Sequence, residues 1–143
     1  MRNLLLPIDG DATRARAAVA EALRICGQEP VRIHLLSVQP AVSSHVAMFF
    51  GDGELHQIQL DAGTEDLAPA RALLDASGVT YTATVKTGRS AETIARVARE
   101  LACDRIVMGQ ESGGSLAGKI FGSLAQQVRH LLSGASDCQV IGS

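Results

Sequence analysis

Five short strand-like runs alternate with segments whose apolar residues recur every three or four positions, and that rhythm leaves the chain few folds to choose from. Asn3 to Ile8 is a near-continuous apolar run, as a strand buried on both faces requires. Asp9-Gly10-Asp11 turns it, and either aspartate can cap the helix marked by Ala15, Ala18, Val19, Ala22, Leu23 and Cys26, which Gly27 ends. Val31 to Val38 is a second strand stopped by Pro40, and Leu67, Ala70, Leu73 and Leu74 mark a helix over about 60–76. After Gly78 a third strand runs over Thr80–Val85. Ser90 is the expected cap of a helix with Ile94, Val97, Ala98 and Leu101 inward. A fourth strand, Arg105 to Met108, leads to a glycine-rich loop and a helix marked by Leu124, Val128, Leu131 and Leu132. Cys138 to Ile141 is a short fifth strand.

Strands alternating with helices over short connections imply a parallel sheet covered on both faces. Right-handed crossovers reduce the topologies to a doubly wound α/β sheet of the flavodoxin or Rossmann-like kind, with five strands in the order 3-2-1-4-5. Residues 1–143 fit one such domain. In these sheets ligands bind beyond the carboxyl ends of the strands, where the order reverses. If strands one and four are neighbours, Asp9 and Gly109 face one crevice.

A net charge of −2 with scattered Lys and Arg, and only 3% aromatic residues, argues against a nucleic-acid partner. No apolar run approaches the roughly twenty residues of a membrane span, and Leu4 to Leu6 is too short for a signal-peptide core. Cys26, Cys103 and Cys138 are an odd number without a Cys-x-x-Cys, and read as buried hydrophobes in a reducing cytoplasm. Residues 40–59 break the rhythm. They are read as a loop carrying His45, Met48, Phe49, Phe50 and His56, whose roles are a plain surface loop, a lid or a dimer contact.

The chemistry concentrates in Gly109-Gln-Glu-Ser-Gly-Gly-Ser-Leu-Ala-Gly-Lys-Ile-Phe-Gly-Ser123. Glycines between a strand and a helix let backbone N–H groups converge beside a helix N-terminus, where phosphate is well held. Gly113 to Lys119 matches G-x-x-x-x-G-K, but Ile120 stands where a P-loop needs Ser or Thr for Mg²⁺, and no later strand offers a metal-holding aspartate. That reading is rejected, although Lys119 remains a charge near any phosphate. A G-x-G-x-x-G fingerprint is absent. The bland readings stay open: Asp9 as a plain helix cap, and the glycines as a tight turn without a ligand.

Over essentially its whole length the chain resembles the universal stress proteins, in the opening strand ending Pro7-Ile8-Asp9-Gly10, in Ile106-Val-Met-Gly109 and in Cys138-Gln-Val-Ile141. Nucleotide-binding members carry G-x2-G-x9-G-[S/T]. Gly109, Gly122 and Ser123 fit that pattern and Ser112 departs from it, while Ala125 and Asp11 replace hydroxyl residues common in the family. The resemblance implies ATP, or AMP or ADP, with Mg²⁺ carried on the phosphates. Asp9 would accept hydrogen bonds from ribose or adenine, and Val38 would wall the adenine. Gly109 would pass beneath the ribose and first phosphate, Ser112 and Gly113 would flank the phosphates, and Gly122 and Ser123 would present amides and a hydroxyl at the helix start. It also implies a homodimer through the edge strand Cys138–Ile141. The functional expectation is a cytoplasmic ATP-binding sensor or regulatory module with little or no catalysis. Its rivals are a partner-binding dimer that has lost nucleotide affinity and a small α/β enzyme. Glu111, Asp9 and Asp11 are the only candidate bases near the loop, and His34, inside strand two, reads as a satisfied core histidine.

Overall fold

The structure, a computed structural model, describes residues 2–40, 48–109, 116–133 and 138–141, without the side chains of Asp52 and of 116–123. Strands β1 (Arg2–Pro7), β2 (Val31–Gln39), β3 (Tyr81–Thr87), β4 (Cys103–Val107) and β5 (Gln139–Ile141) form one parallel sheet in the order β3-β2-β1-β4-β5. Helices α1 (Ala12–Cys26), α2 (Asp52–Ser77), α3 (Ser90–Glu100) and α4 (Leu116–Leu132) complete the α/β architecture anticipated from the alternation.

Successive strand side chains point to opposite faces, so the apolar run in β1 feeds two cores at once. Leu4, Leu6 and Ile8 pack with Ile33, Leu35 and the inner residues of α1 and α2. Leu5 packs on the other face with Leu36, Ile106, Val140, α3 and α4. Leu4, Leu5 and Leu6 are fully buried, each contributing about 2 kcal/mol of apolar burial. Cys26, Cys103 and Cys138 form no disulfide among the described residues, and burial pushes Cys103 up to about 12 and Cys138 up to about 11. Among the described residues no helix is long and apolar enough to cross a membrane.

Several boundaries differ from the sequence expectation. Helix α2 starts at Asp52, not near 60, so the second half of the expected 40–59 loop is largely helical, while 41–47 lie outside the described residues. Only from Gly63 onward does α2 have buried residues, Gly63, Leu67, Ala70 and Leu74, which is why its first turns carry no core signature. Gly63 must be glycine, because a Cβ there would lie 2.5 Å from a Val85 methyl of β3. Ser90 is the first residue of α3, and Arg89 at the cap position makes no side-chain capping bond. Leu101, expected inward, is 37% exposed in the turn after α3.

His34 is buried in β2 and fully engaged. Its Nδ1 lies 2.7 Å from Thr82 Oγ1 on β3 and its Nε2 3.0 Å from Asn3 Oδ1 on β1. Asn3 Nδ2 then donates to the Leu101 carbonyl at 3.0 Å, so a neutral polar chain crosses three strands. Desolvation, reinforced by nearby Arg32, holds the imidazole below its ordinary 6.5. It is the satisfied core histidine expected.

Candidate functional site

The reversal of strand order lies between β1 and β4, and the two signals read from the sequence meet there. β1 pairs with β2 on one side and β4 on the other, so Asp9 and Gly109 leave neighbouring strands at their carboxyl ends. Gly109 is held against the first turn of α1, where a Cβ would lie 2.1 Å from the Arg14 carbonyl oxygen. Close backbone approach to α1 therefore requires the glycine, whatever else the position does.

Of the two candidate caps, Asp11 holds the position. Its Oδ1 accepts from Arg14 N–H at 2.9 Å, and that bond is the main reason its carboxyl sits below the ordinary 3.8. Asp9 Oδ1 accepts from the Asp11 N–H at 3.1 Å. Its Oδ2 takes the Arg14 guanidinium, at 2.9 Å from Nε and 2.6 Å from a terminal nitrogen. Arg14 is only 9% exposed. Sequence reasoning missed it, because an arginine two residues into a helix normally reads as solvated. The available signal was its spacing of five and three residues from two aspartates.

Gly10, at φ +93°, turns the chain beneath Asp66 of α2, whose Oδ1 lies 2.6 Å from where a Cβ would stand. Gln39 at the end of β2 donates to Asp66 Oδ2 at 3.0 Å and to Ser37 Oγ at 2.9 Å. The carboxyl ends of β1 and β2 thus carry a ring of carboxylates, one buried cation and an amide.

Beside that ring is a cleft lined by Asp9, Ile8, Leu36, Val38, Ile94 and Leu124. Asp9 and Val38 are brought together as the sequence suggested, with Ile94 and Leu124 adding apolar wall from α3 and α4. The cleft holds about 40 Å³, far below the roughly 300–1,000 Å³ of a typical ligand pocket. Ser90 and Leu124 also line a groove of about 530 Å³ between α3 and α4, together with Arg89, Glu92, His130 and Leu131. His130 is exposed there.

The glycine motif divides differently. Ser112 and Gly113, with Glu111, lie outside the described residues. α4 begins at Leu116, which puts Lys119 in its first turn and Gly122 and Ser123 in its second, not at a helix start. The apolar positions 117, 120, 121, 124 and 128 continue the helical period backwards and account for the earlier start, despite about 1 kcal/mol lost at each interior glycine. Within the helix, the amides that geometry leaves without an intrahelical carbonyl are then those of 116–118. Among the described residues no three His, Cys, Asp or Glu side chains are grouped to hold a metal ion.

The model of the universal stress protein family matches residues 1–133. No curated protein matches the chain by sequence. Solved structures share its fold at low identity. A universal stress protein from Archaeoglobus fulgidus in complex with dAMP is 17% identical, with a TM-score of 0.68, 99% of this chain covered and 97% of that one. A universal stress protein in complex with cAMP is 18% identical, with a TM-score of 0.69 over 99% of this chain and 96% of that one. A family member from Arabidopsis thaliana with AMP bound is 16% identical, with a TM-score of 0.62 and coverage of 99% and 90%. With the family match spanning most of its length and the same sheet in those proteins, the chain belongs to the universal stress protein family.

Proposed function

We propose that this protein is an adenine-nucleotide-binding regulatory module of stress response, working in the cytoplasm with little or no catalysis. The observation that carries the reading is that Asp9 and Val38 line one cleft beside the β1–β4 reversal, the place where parallel α/β sheets bind ligands, with Gly109 leaving β4 at the neighbouring strand end. Support comes also from relatives of the same fold solved with AMP, dAMP and cAMP. The adenine lies against Val38, Ile94 and Leu124, and a ribose hydroxyl donates to Asp9 Oδ1, which accepts one bond within the chain and retains a second lone pair. The phosphates run along the 109–123 segment toward the first amides of α4, with Ser112, Gly113, Lys119, Gly122 and Ser123 nearby. ATP is the ligand proposed, with AMP and ADP as shorter forms.

Magnesium, if it accompanied ATP, would come in on the phosphate oxygens and offset their charge. The chain's own part is to fix the base, accept from the ribose and present amides to the anion. The homodimer is proposed through β5, a three-residue strand at the sheet edge, where a second copy would compete with Arg129, which donates to the Val140 carbonyl at 3.1 Å.

The narrowness of the cleft and the position of Gly122 and Ser123 inside α4 favour a second reading, a partner-binding member of the family without nucleotide affinity. Calorimetric titration with ATP, ADP, AMP and cAMP, each with and without magnesium, separates the two. The first reading expects saturable binding at micromolar to low millimolar concentration and co-purifying nucleotide on chromatography. A flat titration with every nucleotide leaves the second. Light scattering at micromolar concentration checks the dimer, and a monomeric mass would remove β5 pairing from the account.

A further inference from the structure

We propose that Arg14 sets the ribose specificity of the crevice. By occupying one oxygen of Asp9 it makes the site read a single ribose hydroxyl, so that an adenine nucleotide bound there needs only one of its two. The proposal rests on the crevice being a nucleotide site and specifies which riboses that site accepts.

The arginine stands at a position the fold would otherwise give to an apolar residue. Arg14, Ala18, Ala22 and Ile25 recur at spacings of four and three, and all are buried on the inner face of α1. The Arg14 carbonyl lies so close to Gly109 that no Cβ fits between them, which pins its backbone against the segment that follows β4. A guanidinium brought this far in needs a counter-charge. Asp9 supplies it through one oxygen. The Arg14 Nε and a terminal nitrogen both donate to Oδ2, at 2.9 Å and 2.6 Å, while Asp11 stands off at 3.7 Å.

A carboxylate offers about four accepting lone pairs, two on each oxygen. Arg14 takes both on Asp9 Oδ2, and the Asp11 N–H takes one on Oδ1 at 3.1 Å. One is left. An aspartate with both oxygens open can accept the neighbouring 2′ and 3′ hydroxyls of a ribose side by side, whereas Asp9 can accept one of them. Turning Oδ2 toward the second hydroxyl would take the nearer aspartate from a guanidinium that is only 9% exposed. A hydroxyl that already bonds water in the unbound nucleotide returns less than that loss costs. The second hydroxyl therefore keeps its water, and removing it costs nothing at Asp9.

The test is calorimetric titration of the full chain with ATP, 2′-deoxy-ATP, 3′-deoxy-ATP and 2′,3′-dideoxy-ATP, magnesium present. One monodeoxy nucleotide should bind within about twofold of ATP, while the other and the dideoxy nucleotide are weakened equally, by about tenfold. Arg14→Met fills similar space and opens Oδ2, so the tolerated deoxy nucleotide should then also lose about tenfold against ATP. Arg14→Lys keeps the charge without the two-pronged contact and should move the same way by about threefold; it carries the test if circular dichroism shows Arg14→Met unfolded. Each comparison is a ratio of affinities within one protein, so lowered stability alone does not shift it. Saturable ATP binding in which both monodeoxy nucleotides are weakened, or neither is, would overturn the proposal and leave the nucleotide reading standing. Variants that keep the parent's pattern would do the same. Flat titrations with all four nucleotides would overturn both.

Discussion

Two polar clusters sit on this sheet, and they are built in opposite ways. The chain from Thr82 through His34 and Asn3 to Leu101 is neutral, and each His34 ring nitrogen has one partner. The cluster of Asp9, Arg14 and Asp11 at the carboxyl ends is charged, with about a third of each aspartate side chain exposed, and borders a cleft. In the first cluster both His34 ring nitrogens, buried in the sheet, are spent on neighbouring strands, so its role is to tie three strands together. The second has carboxylate lone pairs beyond those its own chain uses. Polarity alone therefore does not mark a site; charge with unspent hydrogen-bonding capacity at a strand end does.

The largest effect should come from Gly109→Val. Its Cβ would meet the Arg14 backbone at 2.1 Å, and neither α1 nor β4 can retreat without opening a core. A loss of about 3 kcal/mol or more is expected in urea unfolding, enough to threaten folding outright. Near-parental stability would mean that α1 does not press on this junction.

Asp9→Ala sharpens the contrast more directly. It leaves the Arg14 guanidinium, nine-tenths buried, with only the longer 3.7 Å approach of Asp11 among the two aspartates. A cost of about 1–2 kcal/mol is expected, reduced from that of a fully buried pair because Asp9 itself is partly solvated. Nucleotide affinity should fall about tenfold, read by calorimetry. His34→Leu should cost a similar 1–2 kcal/mol, roughly, by leaving Asn3 and Thr82 short of a partner, but should leave nucleotide affinity unchanged. If His34→Leu weakened nucleotide binding as much as Asp9→Ala, the division into scaffold and site would be wrong.

Acid should separate the clusters as well. His34 binds its proton less readily in the fold than in the unfolded chain, so its contribution is complete above about pH 6.5 and is lost as pH falls below that toward its lowered folded value. Asp11 is a carboxyl held low, so its contribution persists above 3.8 and disappears only as pH drops through its folded value. Unfolding measured between pH 7 and 5 should lose its slope in part in His34→Leu and keep it in Asp11→Ala. The smallest effect is that of Asp11→Ala at neutral pH, about 1 kcal/mol for a lost helix cap.

Much of the fold was legible because buried strands and packed helices write their period into the chain. β1 shows this in Leu4, Leu5 and Leu6, each needed by one core or the other. The start of α2 was not legible, since a helix that overhangs the sheet has no core to impose a stripe on residues 52–59. The start of α4 was misread for a different reason. Gly118 and Gly122 suggested an open loop, yet the apolar period around them carries the helix back to Leu116. In the crevice Asp9, Val38 and Gly109 could be named from strand ends alone. Arg14 left only the faint signal of its spacing from Asp9 and Asp11, and Asp66 left none, because its importance comes from tertiary neighbours, Gly10 with Gln39.

The central claim is that an adenine nucleotide occupies the β1–β4 reversal. Titrating ¹⁵N-labelled protein with ATP and with AMP, magnesium present, tests it residue by residue. The account predicts saturable amide shifts at Asp9, Gly10, Val38 and Gly109 and along the first turns of α4, with His34 and Thr82 still. Amides that do not move up to millimolar nucleotide, or shifts gathered around His34 instead, would contradict it.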